Sequence, residues 1–288
     1  MTTRPLLPRT NLLFYIPYDA NFGDELNVLL AKRLIETHGI RLKCISLRDK
    51  KWHKHKLRNA RTMSFLGSIM HLLPETEPID IIGTGVNPLK DHNNLLNNPS
   101  IKVLALRGEL SKSFMEQRGF DTTRVVLGDP ALLIPRLYPE WLNPYPGSGT
   151  VFIPHYNDIE ATKNKEDNYK RQGIEVCYPN QRATDVINVI MKKKTIVSSS
   201  LHGIIVAEML QKDTRWLMLH GSIDSESEFK YRDYFSVTGR PSTQRFARCL
   251  AEALSPDYKL PPCVYDDTEL FNLVQEYFLS PIEEGGRD

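Results

Sequence analysis

Residues 195–210, TIVSSSLHGIIVAEML, place a polar turn between an apolar strand and an apolar helix. We expect the strand to end at Val197 and the helix to run from Ile204 to Leu210. Such a strand–turn–helix unit directs unpaired backbone N–H groups and the positive end of a helix dipole at one point. Because His202 lies in the turn, the segment predicts a place for an anion beside a titratable group. The alternative is a helix N-cap in which the serines satisfy the first N–H groups and His202 only packs.

The same alternation of apolar strands and helices extends along the chain in both directions. The predicted strands are Leu12 to Ile16, Ile40 to Ile45, Phe65 to Ile69, Ile79 to Ile82, Val103 to Leu106, Val125 to Leu127, Val151 to Ile153, Ile174 to Tyr178, Thr195 to Val197 and Trp216 to Leu219. The predicted helices include Leu26 to Leu34, Ser111 to Arg118, Ile159 to Arg171, Thr184 to Lys192, Gly203 to Leu210 and Thr268 to Phe278. This order indicates mainly parallel sheets with helices on their faces.

A cluster of prolines and glycines between Pro135 and Gly149 interrupts the alternation. Regular structure tolerates few such residues, so we place an interdomain linker there. The 288 residues, 41% of them hydrophobic, suffice for two domains. We therefore predict an α/β protein of two Rossmann-like domains facing across a cleft. Residues 1–135 form the first domain and 150–265 the second, and residues 266–288 form a C-terminal helix that can pack back on the first.

Charge and cysteine content narrow the choice of partner and compartment. The formal net charge of +2 is too small to indicate nucleic-acid binding. The four cysteines lie far apart without metal-ligand spacing, so we expect reduced thiols and no metal. The N-terminus shows no signal-peptide core, and no run approaches the roughly 18 apolar residues of a membrane span. These features predict a cytoplasmic protein.

A local basic run stands out from this balanced charge: Lys50, Lys51, His53, Lys54, His55, Lys56, Arg58 and Arg61. Such a run is typical of a solvated loop. The functional alternative is attraction to anionic lipid, at the cytosolic face of the inner membrane, or to a diphosphate-linked substrate. Both interpretations stay open at this point.

Polar residues follow nearly every predicted strand, at the edge where parallel sheets bind ligands. They include Asn21 to Glu25, Gly83 to Asn87, Arg107, Asp129 and His155 to Asn157. The Arg107 guanidinium can hold a carboxylate or phosphate, although an ion pair with Glu109 or a nearby aspartate would serve structure alone. Asp24 and Glu25 can stabilise a helix dipole or act as a general base. Asp129 is interpreted as a turn residue or helix cap.

Residues 228–240, EFKYRDYFSVTGR, combine aromatic and ionic groups and are predicted to form a long functional loop. In such a loop Tyr231 can stack on the face of a sugar, while Lys230 and Arg240 can hold an anion. The alternative is a surface loop anchored by its aromatic side chains.

Several of these segments carry a resemblance when taken together and in order: Gly23 to Leu26, Gly83 to Asn87, Arg107 to Ser111, Gly128 to Leu133, Pro154 to Asn157, Ser198 to Ala207, Phe229 to Tyr234 and Gly239-Arg240. The set resembles the polysaccharide pyruvyl transferase family, most strongly its xanthan ketal pyruvyl transferase subgroup. The resemblance implies transfer of the pyruvyl group of phosphoenolpyruvate to two hydroxyls of one sugar in an exopolysaccharide repeat unit, giving a cyclic ketal and phosphate. It also implies a lipid-linked oligosaccharide acceptor and the two-domain glycosyltransferase-B arrangement.

The sequence departs from the family at one anion-binding position. Many members carry an arginine where this chain has Ser200. We expect Arg240 to replace that cation, in preference to Lys230, because a bidentate fork suits a carboxylate. The substrate contacts are then expected from Asn21, Gly85, Asn87, Arg107, Ser199, Ser200, Leu201, Lys230, Tyr231 and Arg240.

The implied chemistry needs an acid that protonates phosphoenolpyruvate and a base that accepts the hydroxyl protons. We assign His202 as the acid, with His155 as the alternative donor or phosphate ligand. The base is Asp24 or Glu25. No cofactor is expected besides phosphoenolpyruvate as the donor substrate. Two rival functions share the architecture: a glycosyltransferase using a nucleotide sugar, and a non-catalytic glycan-binding subunit.

Overall fold

The computed structural model describes residues 10–15, 21–36, 40–47, 60–142, 147–219 and 225–280 of the chain. Within them the protein is a mixed α/β structure with two parallel sheets. The basic run lies outside the described residues, apart from Arg61, whose guanidinium donates to the carbonyl of Tyr277. No helix in the described ranges is long and apolar enough to cross a membrane.

The first sheet has six strands in the order β2-β1-β3-β4-β5-β6. Their bounds are β1 Thr10–Tyr15, β2 Arg41–Ser46, β3 Ala60–Ser64, β4 Ile79–Ile82, β5 Ile101–Leu106 and β6 Val126–Leu127. The helices of this half are α1 Phe22–Ile35, α2 Asn93–Leu96, α3 Glu109–Glu116 and α4 Ile134–Leu137. Helix α1 buries Leu26, Leu30 and Leu34, which lie at helical spacing on one face.

The second sheet has four strands in the order β10-β9-β7-β8. Its strands are β7 Thr150–Ile153, β8 Ile174–Val176, β9 Thr195–Ser198 and β10 Asp213–Trp216. The remaining helices are α5 Ile159–Lys163, α6 Glu166–Arg171, α7 Ala183–Lys192, α8 Leu201–Met209, α9 Ser225–Phe235, α10 Leu250–Ala253 and α11 Thr268–Leu279. Helix α8 is apolar on nearly all sides because it is buried between β9 and neighbouring helices.

The two halves make contact at several places, among them the first turn of α1 and helix α11. The backbone N–H of Phe22 donates to the carbonyl of Pro179 at 2.8 Å. The Glu25 carboxylate accepts from the N–H of Ala183 at 2.7 Å, at the start of α7. Helix α11 returns to the first sheet, where the Tyr277 hydroxyl donates to Asp80 in β4 at 3.0 Å. These bonds fix the start of α1 against the second half and α11 against the first sheet.

Three predicted elements differ from the structure. Strand β3 ends at Ser64, so the apolar residues from Phe65 onward belong to a turn, where Phe65 packs in the core. The predicted helix Ile159 to Arg171 is divided into α5 and α6, because the chain turns at residues 164–165. The last strand, β10, runs from Asp213 to Trp216, whereas the predicted strand runs from Trp216 to Leu219. The first residues of β10 are too polar to be found by an apolar pattern.

The largest difference concerns residues 228–240, where a loop was predicted and helix α9 occupies 225–235. The aromatic residues Tyr231, Tyr234 and Phe235 follow the i, i+3, i+4 spacing of a helix face, and all three are buried. The Trp216 ring lies 4.8 Å from Tyr231 and 5.1 Å from Phe235, measured between centroids. Aromatic packing therefore makes this segment a core helix.

The close approach of α9 to the start of α3 yields a stability prediction. In the variant Gly108→Ala a new Cβ would lie 1.8 Å from the carbonyl oxygen of Asp233. The Gly108 backbone is extended, so the penalty is steric, and we expect a loss of about 3 kcal/mol in the free energy of unfolding, measured in urea. The control Gly119→Ala meets no atom within 4 Å and should cost about 1 kcal/mol for its left-handed backbone. Equal losses would contradict tight docking of α9.

Candidate active site

A cleft of about 390 Å³ opens at the carboxyl ends of strands from both sheets. The first half contributes Asn21, Asp24, Asn87 and Arg107 to its lining. The second half contributes His155, Ser200, Leu201, His202 and Lys230. Residues from distant parts of the chain therefore meet in one cavity, as expected for parallel sheets whose polar residues follow the strands.

The serine turn at the start of α8 is held by hydrogen bonds of the Ser198 hydroxyl. The Ser198 hydroxyl donates to the carbonyl of Ile153 at 2.9 Å and accepts from the N–H of Ser200 at 3.0 Å. Ser200 is the N-cap residue, yet within the described residues its side chain makes no capping hydrogen bond to α8. The alternative interpretation, in which the serines satisfy the helix N–H groups, does not apply. The helix start is therefore available to an anion in the cleft.

Arg107 is almost completely buried and lies at the end of β5 with two of its three nitrogens engaged. Its Nε donates to Asp233 at 2.9 Å, and its Nη1 donates to the Ser68 hydroxyl at 2.7 Å. The third nitrogen, Nη2, has no hydrogen-bond partner in the described part of the chain. A buried donor of this kind is costly unless a ligand satisfies it. The guanidinium fits here because residue 85 is a glycine: a Cβ at Gly85 would lie only 2.2 Å from the Cζ of Arg107.

Asp233, on α9, organises the residues around Arg107. Its carboxylate accepts from the N–H of Ser111 at 2.8 Å and from the Ser111 hydroxyl at 2.6 Å. The same hydroxyl accepts from the N–H of Val86 at 3.0 Å. Asp233 is fully buried, so this network fixes the guanidinium and the turn after β4 relative to each other.

The three histidines that line the cleft, His71, His155 and His202, are uncharged near pH 7 because burial lowers the pKa of each. Burial lowers the pKa of His202 to about 3, with further lowering from Arg107 and Lys230. Burial, Lys230 and His202 lower the pKa of His155 to about 3 as well. The Nε2 of His155 lies 3.1 Å from the Lys230 ammonium, and its Nδ1 accepts from the N–H of Asn157 at 3.3 Å. An anion entering here would meet a cation and two titratable rings.

The structure corrects the role predicted for Arg240. Its guanidinium does not line the cleft and is buried in an ion pair with Glu208. It also donates to Thr238 and to the carbonyl of Pro261, both at 2.8 Å. Arg240 cannot replace the arginine expected at Ser200, because its guanidinium lies outside the cleft lining and both of its Nη atoms are bonded elsewhere. Lys230, the second choice, is the cation of that segment that reaches the cleft.

Three further predicted residues have structural roles instead. Tyr231 is 1% exposed, and its hydroxyl donates to the carbonyl of Ser199 at 2.7 Å, so its ring is not available to a sugar. Glu25 is bound to the start of α7 and does not line the cleft, which leaves Asp24 as the carboxylate of α1 within reach of a substrate. Ser199 supports the cleft from behind, where its hydroxyl accepts from the N–H of His155 at 2.8 Å and donates to Asp158.

The cleft is also lined by Ser68, His71 and Asn157, which the strand-end rule predicts. Two residues that shape the cleft were not predicted from the sequence: Lys90 lines it, and Asp233 holds Arg107 from outside. In the described ranges, no group of three or more His, Cys, Asp or Glu side chains is arranged to hold a metal ion.

A family model described as polysaccharide pyruvyl transferase matches residues 21–220, which include this whole cleft except Lys230. The chain therefore belongs to the polysaccharide pyruvyl transferase family. This membership implies a pyruvyl transferase in general.

Three other proteins show similarity to this chain in sequence or structure. An uncharacterized protein of Acanthamoeba polyphaga mimivirus is 26% identical over 275 residues, which cover 92% of this chain and 88% of that protein. An uncharacterized protein of Klebsiella pneumoniae has 12% identity and a TM-score of 0.49, with 77% of this chain and 88% of that chain covered. The wall teichoic acid polymerase TagF has 13% identity and a TM-score of 0.47, with 93% of this chain and 78% of that chain covered.

The buried ion pair of Arg107 generates a second stability prediction. In Asp233→Asn the amide would present a donor to the guanidinium or to Ser111 and would leave a buried cation without its anion. We expect the free energy of unfolding to fall by about 3–5 kcal/mol, measured by urea denaturation. The exposed pair Lys163–Glu160 provides the control, since Glu160→Gln should cost less than about 1 kcal/mol. A similar small loss in both variants would refute the anchoring role of Asp233.

Proposed function

We propose that this protein transfers the pyruvyl group of phosphoenolpyruvate to two hydroxyls of one sugar in an exopolysaccharide repeat unit, forming a cyclic ketal and releasing phosphate. The observation that carries the proposal is the convergence, in one cleft, of the Nη2 of Arg107, the Lys230 ammonium, the uncapped start of α8 and two imidazoles. Family membership supplies the reaction class. The proposal includes kinship with the xanthan ketal subgroup and a glycosyltransferase-B-like arrangement of the two sheets.

Phosphoenolpyruvate brings a carboxylate and a phosphate on one carbon, so its site must neutralise two anions a few ångströms apart. Arg107 offers a fixed N–H donor, which suits the planar carboxylate. The α8 N–H groups and Lys230 suit the phosphate. His155, held beside Lys230 at 3.1 Å, joins the phosphate site as a ligand. This division leaves His202 between the two anion sites, next to the reacting carbon.

The proposed reaction starts when His202 protonates the methylene carbon, which becomes a methyl group. The neighbouring carbon then carries positive charge and is attacked by the first sugar hydroxyl, whose proton passes to Asp24. Phosphate leaves with the electrons of its C–O bond, and the second hydroxyl closes the ring. Of the two hydroxyl protons, one replaces the proton given by His202 and the other leaves with phosphate or solvent. No step changes an oxidation state.

We further propose that the acceptor is a lipid-linked oligosaccharide and that the protein works in the cytoplasm, in peripheral contact with the inner membrane. Phosphoenolpyruvate would be its donor substrate, with neither cofactor nor metal required and no nucleic-acid partner. Lys90, exposed at the edge of the cleft, is a candidate contact for an acidic acceptor.

The activity itself is tested with purified protein, phosphoenolpyruvate and lipid-linked oligosaccharides. We expect phosphate release together with a product that carries the mass of an added pyruvyl ketal. His202→Gln should lower kcat by about 10²-fold or more, because the proton donor is lost. His92→Gln is the matched control, since His92 is buried outside the cleft lining and bonds to the carbonyl of Lys90. Wild-type turnover in His202→Gln would refute the assigned acid, and absence of product from the native protein would refute the function.

Substrate binding should also take up protons near pH 7. A group whose pKa is about 3 is neutral there, and the anions of phosphoenolpyruvate offset Arg107 and Lys230, which raises the pKa of His202 in the complex. Calorimetric titrations at one pH in buffers of different ionisation enthalpy measure this uptake. We expect a net gain of protons in the native protein and a smaller gain in His202→Gln. Binding without any proton uptake would contradict this account of how the acid is charged.

A further inference from the structure

Two buried atoms without hydrogen-bond partners face each other behind the cleft. The Nε2 of His202 lies 4.0 Å from the Oδ2 of Asp129. Neither atom has a hydrogen-bond partner in the described part of the chain, and neither is open to solvent. Leaving both a carboxylate oxygen and a ring nitrogen unsatisfied in the interior is costly for stability. The gap is too long for a hydrogen bond and short enough to close with a small rotation of the imidazole.

The position of Asp129 is fixed by its surroundings. Its other oxygen, Oδ1, accepts from the N–H of Ala131 at 2.9 Å, at the start of the 3₁₀ turn Pro130–Leu133. The preceding residue, Gly128, has a φ of 152°, and a Cβ there would lie 2.1 Å from the Tyr265 hydroxyl. This hydroxyl is tied to the carbonyl of Leu127 at 2.6 Å. The cap therefore uses one oxygen of Asp129 and leaves the other directed at His202.

We propose that Asp129 is the positioning residue for the acid of the reaction: its Oδ2 receives the Nε2–H of His202 when the imidazole becomes charged, so that Nδ1 delivers the proton. This inference rests on the proposed function, since it concerns the acid assigned there. It extends the role of Asp129 beyond the turn or cap that its sequence context indicates.

The geometry of His202 supports this division between its two nitrogens. A Cβ on Gly23 would lie 2.7 Å from Nδ1, so Nδ1 is directed towards the first turn of α1. The neighbouring residues Asn21 and Asp24 line the cleft. The nitrogen that faces Asp129 is closed to solvent, so Nδ1 is the nitrogen left for a substrate in the cleft that His202 lines.

The charges around this pair act in opposite directions. Burial raises the pKa of Asp129 to about 6, partly offset by its bond to Ala131 and by Arg107, while Asp233 raises it further. Burial, Arg107 and Lys230 oppose a positive charge on His202, whereas the carboxylates of Asp129, 4.0 Å from its Nε2, and of Asp24, in the same cleft, favour it. When the anions of phosphoenolpyruvate offset the two cations, the Asp129 carboxylate becomes the nearest fixed countercharge of the imidazolium.

The proton balance of one turnover is complete. The imidazolium gives the proton on Nδ1 to the methylene carbon and keeps the Nε2–H bonded to Asp129. A hydroxyl proton, passed on from the base or from solvent, restores Nδ1–H. Asp129 itself stays ionised throughout, because its function is to hold the ring in one orientation and to stabilise its charge.

Asp129→Asn tests the inference because asparagine keeps an oxygen for Ala131 and loses the charge. We expect kcat to fall by about 10²-fold with little change in the KM for phosphoenolpyruvate. Activity requires protonated His202 and is lost as the pH rises through its pKa in the complex. Loss of the nearby anion lowers that pKa, so the alkaline limb of the kcat profile should move to lower pH by about 1 unit or more.

A spectroscopic measurement separates positioning from a structural role. In protein with ¹⁵N-labelled histidine, the native complex with phosphoenolpyruvate should show His202 protonated on both nitrogens, and Asp129→Asn should lower the pKa at which this form appears. Asp129→Ser, which also keeps a capping oxygen, should behave like Asp129→Asn. The control Asp80→Asn removes another aspartate whose pKa is raised by burial, outside the cleft, and should leave the kcat profile unchanged.

The outcomes distinguish this inference from the proposed function. If the native protein forms no ketal from phosphoenolpyruvate, the proposed function fails. If the native protein is active and both Asp129 variants fold, keep their kcat and keep the native pH profile, the function stands and Asp129 is only a turn cap. If they lose activity while the titration of His202 is unchanged, the positioning role is also overturned.

Discussion

The cleft depends on the buried ion pair between Arg107 and Asp233. The two residues are 126 positions apart in sequence, and both side chains are essentially inaccessible to water. The free-energy cost of desolvating two charges is offset only when further hydrogen bonds satisfy the remaining donors and acceptors. Ser68 and Ser111 supply those bonds here. The result is a guanidinium with one nitrogen left over, fixed at the end of a strand where a substrate enters.

This pair also determines how the cleft attracts anions. Asp233 neutralises much of the Arg107 charge, so Arg107 acts in the cleft chiefly as a directed N–H donor. The net positive field comes from Lys230, Lys90 and the dipole of α8, with the three histidines of the lining neutral. A site built in this way does not hold a permanent excess of buried charge, which would be costly to fold. The positive charges of the site are instead balanced when an anionic substrate binds, and a proton binds with it.

The comparison of Arg107 with Arg240 shows what a sequence pattern can and cannot establish. Both arginines lie near polar or glycine residues, and both are buried beside a carboxylate in the structure. What separates them is the position of that carboxylate: Glu208 holds Arg240 in the interior of the second half, outside the cleft lining, whereas Asp233 holds Arg107 at the cleft. Partner positions depend on tertiary packing, which no local spacing encodes. The strand-end rule predicted Arg107, His155, His202 and their neighbours because it depends on topology alone.

The same reasoning explains α9 and the arrangement of both halves around the cleft. The ionic residues between the aromatic residues of α9 make the helical spacing hard to recognise, so the sequence predicts a loop. In the structure that spacing places Tyr231 and Phe235 on one helix face, where both contact Trp216. Once the helix is packed there, Lys230 and Asp233 face the first half, one towards the cleft and the other towards Arg107. Packing of an apolar face in the second half thus positions charged groups against strand ends of the first. The cleft forms only where the two halves meet, so the contacts that dock them also assemble the site.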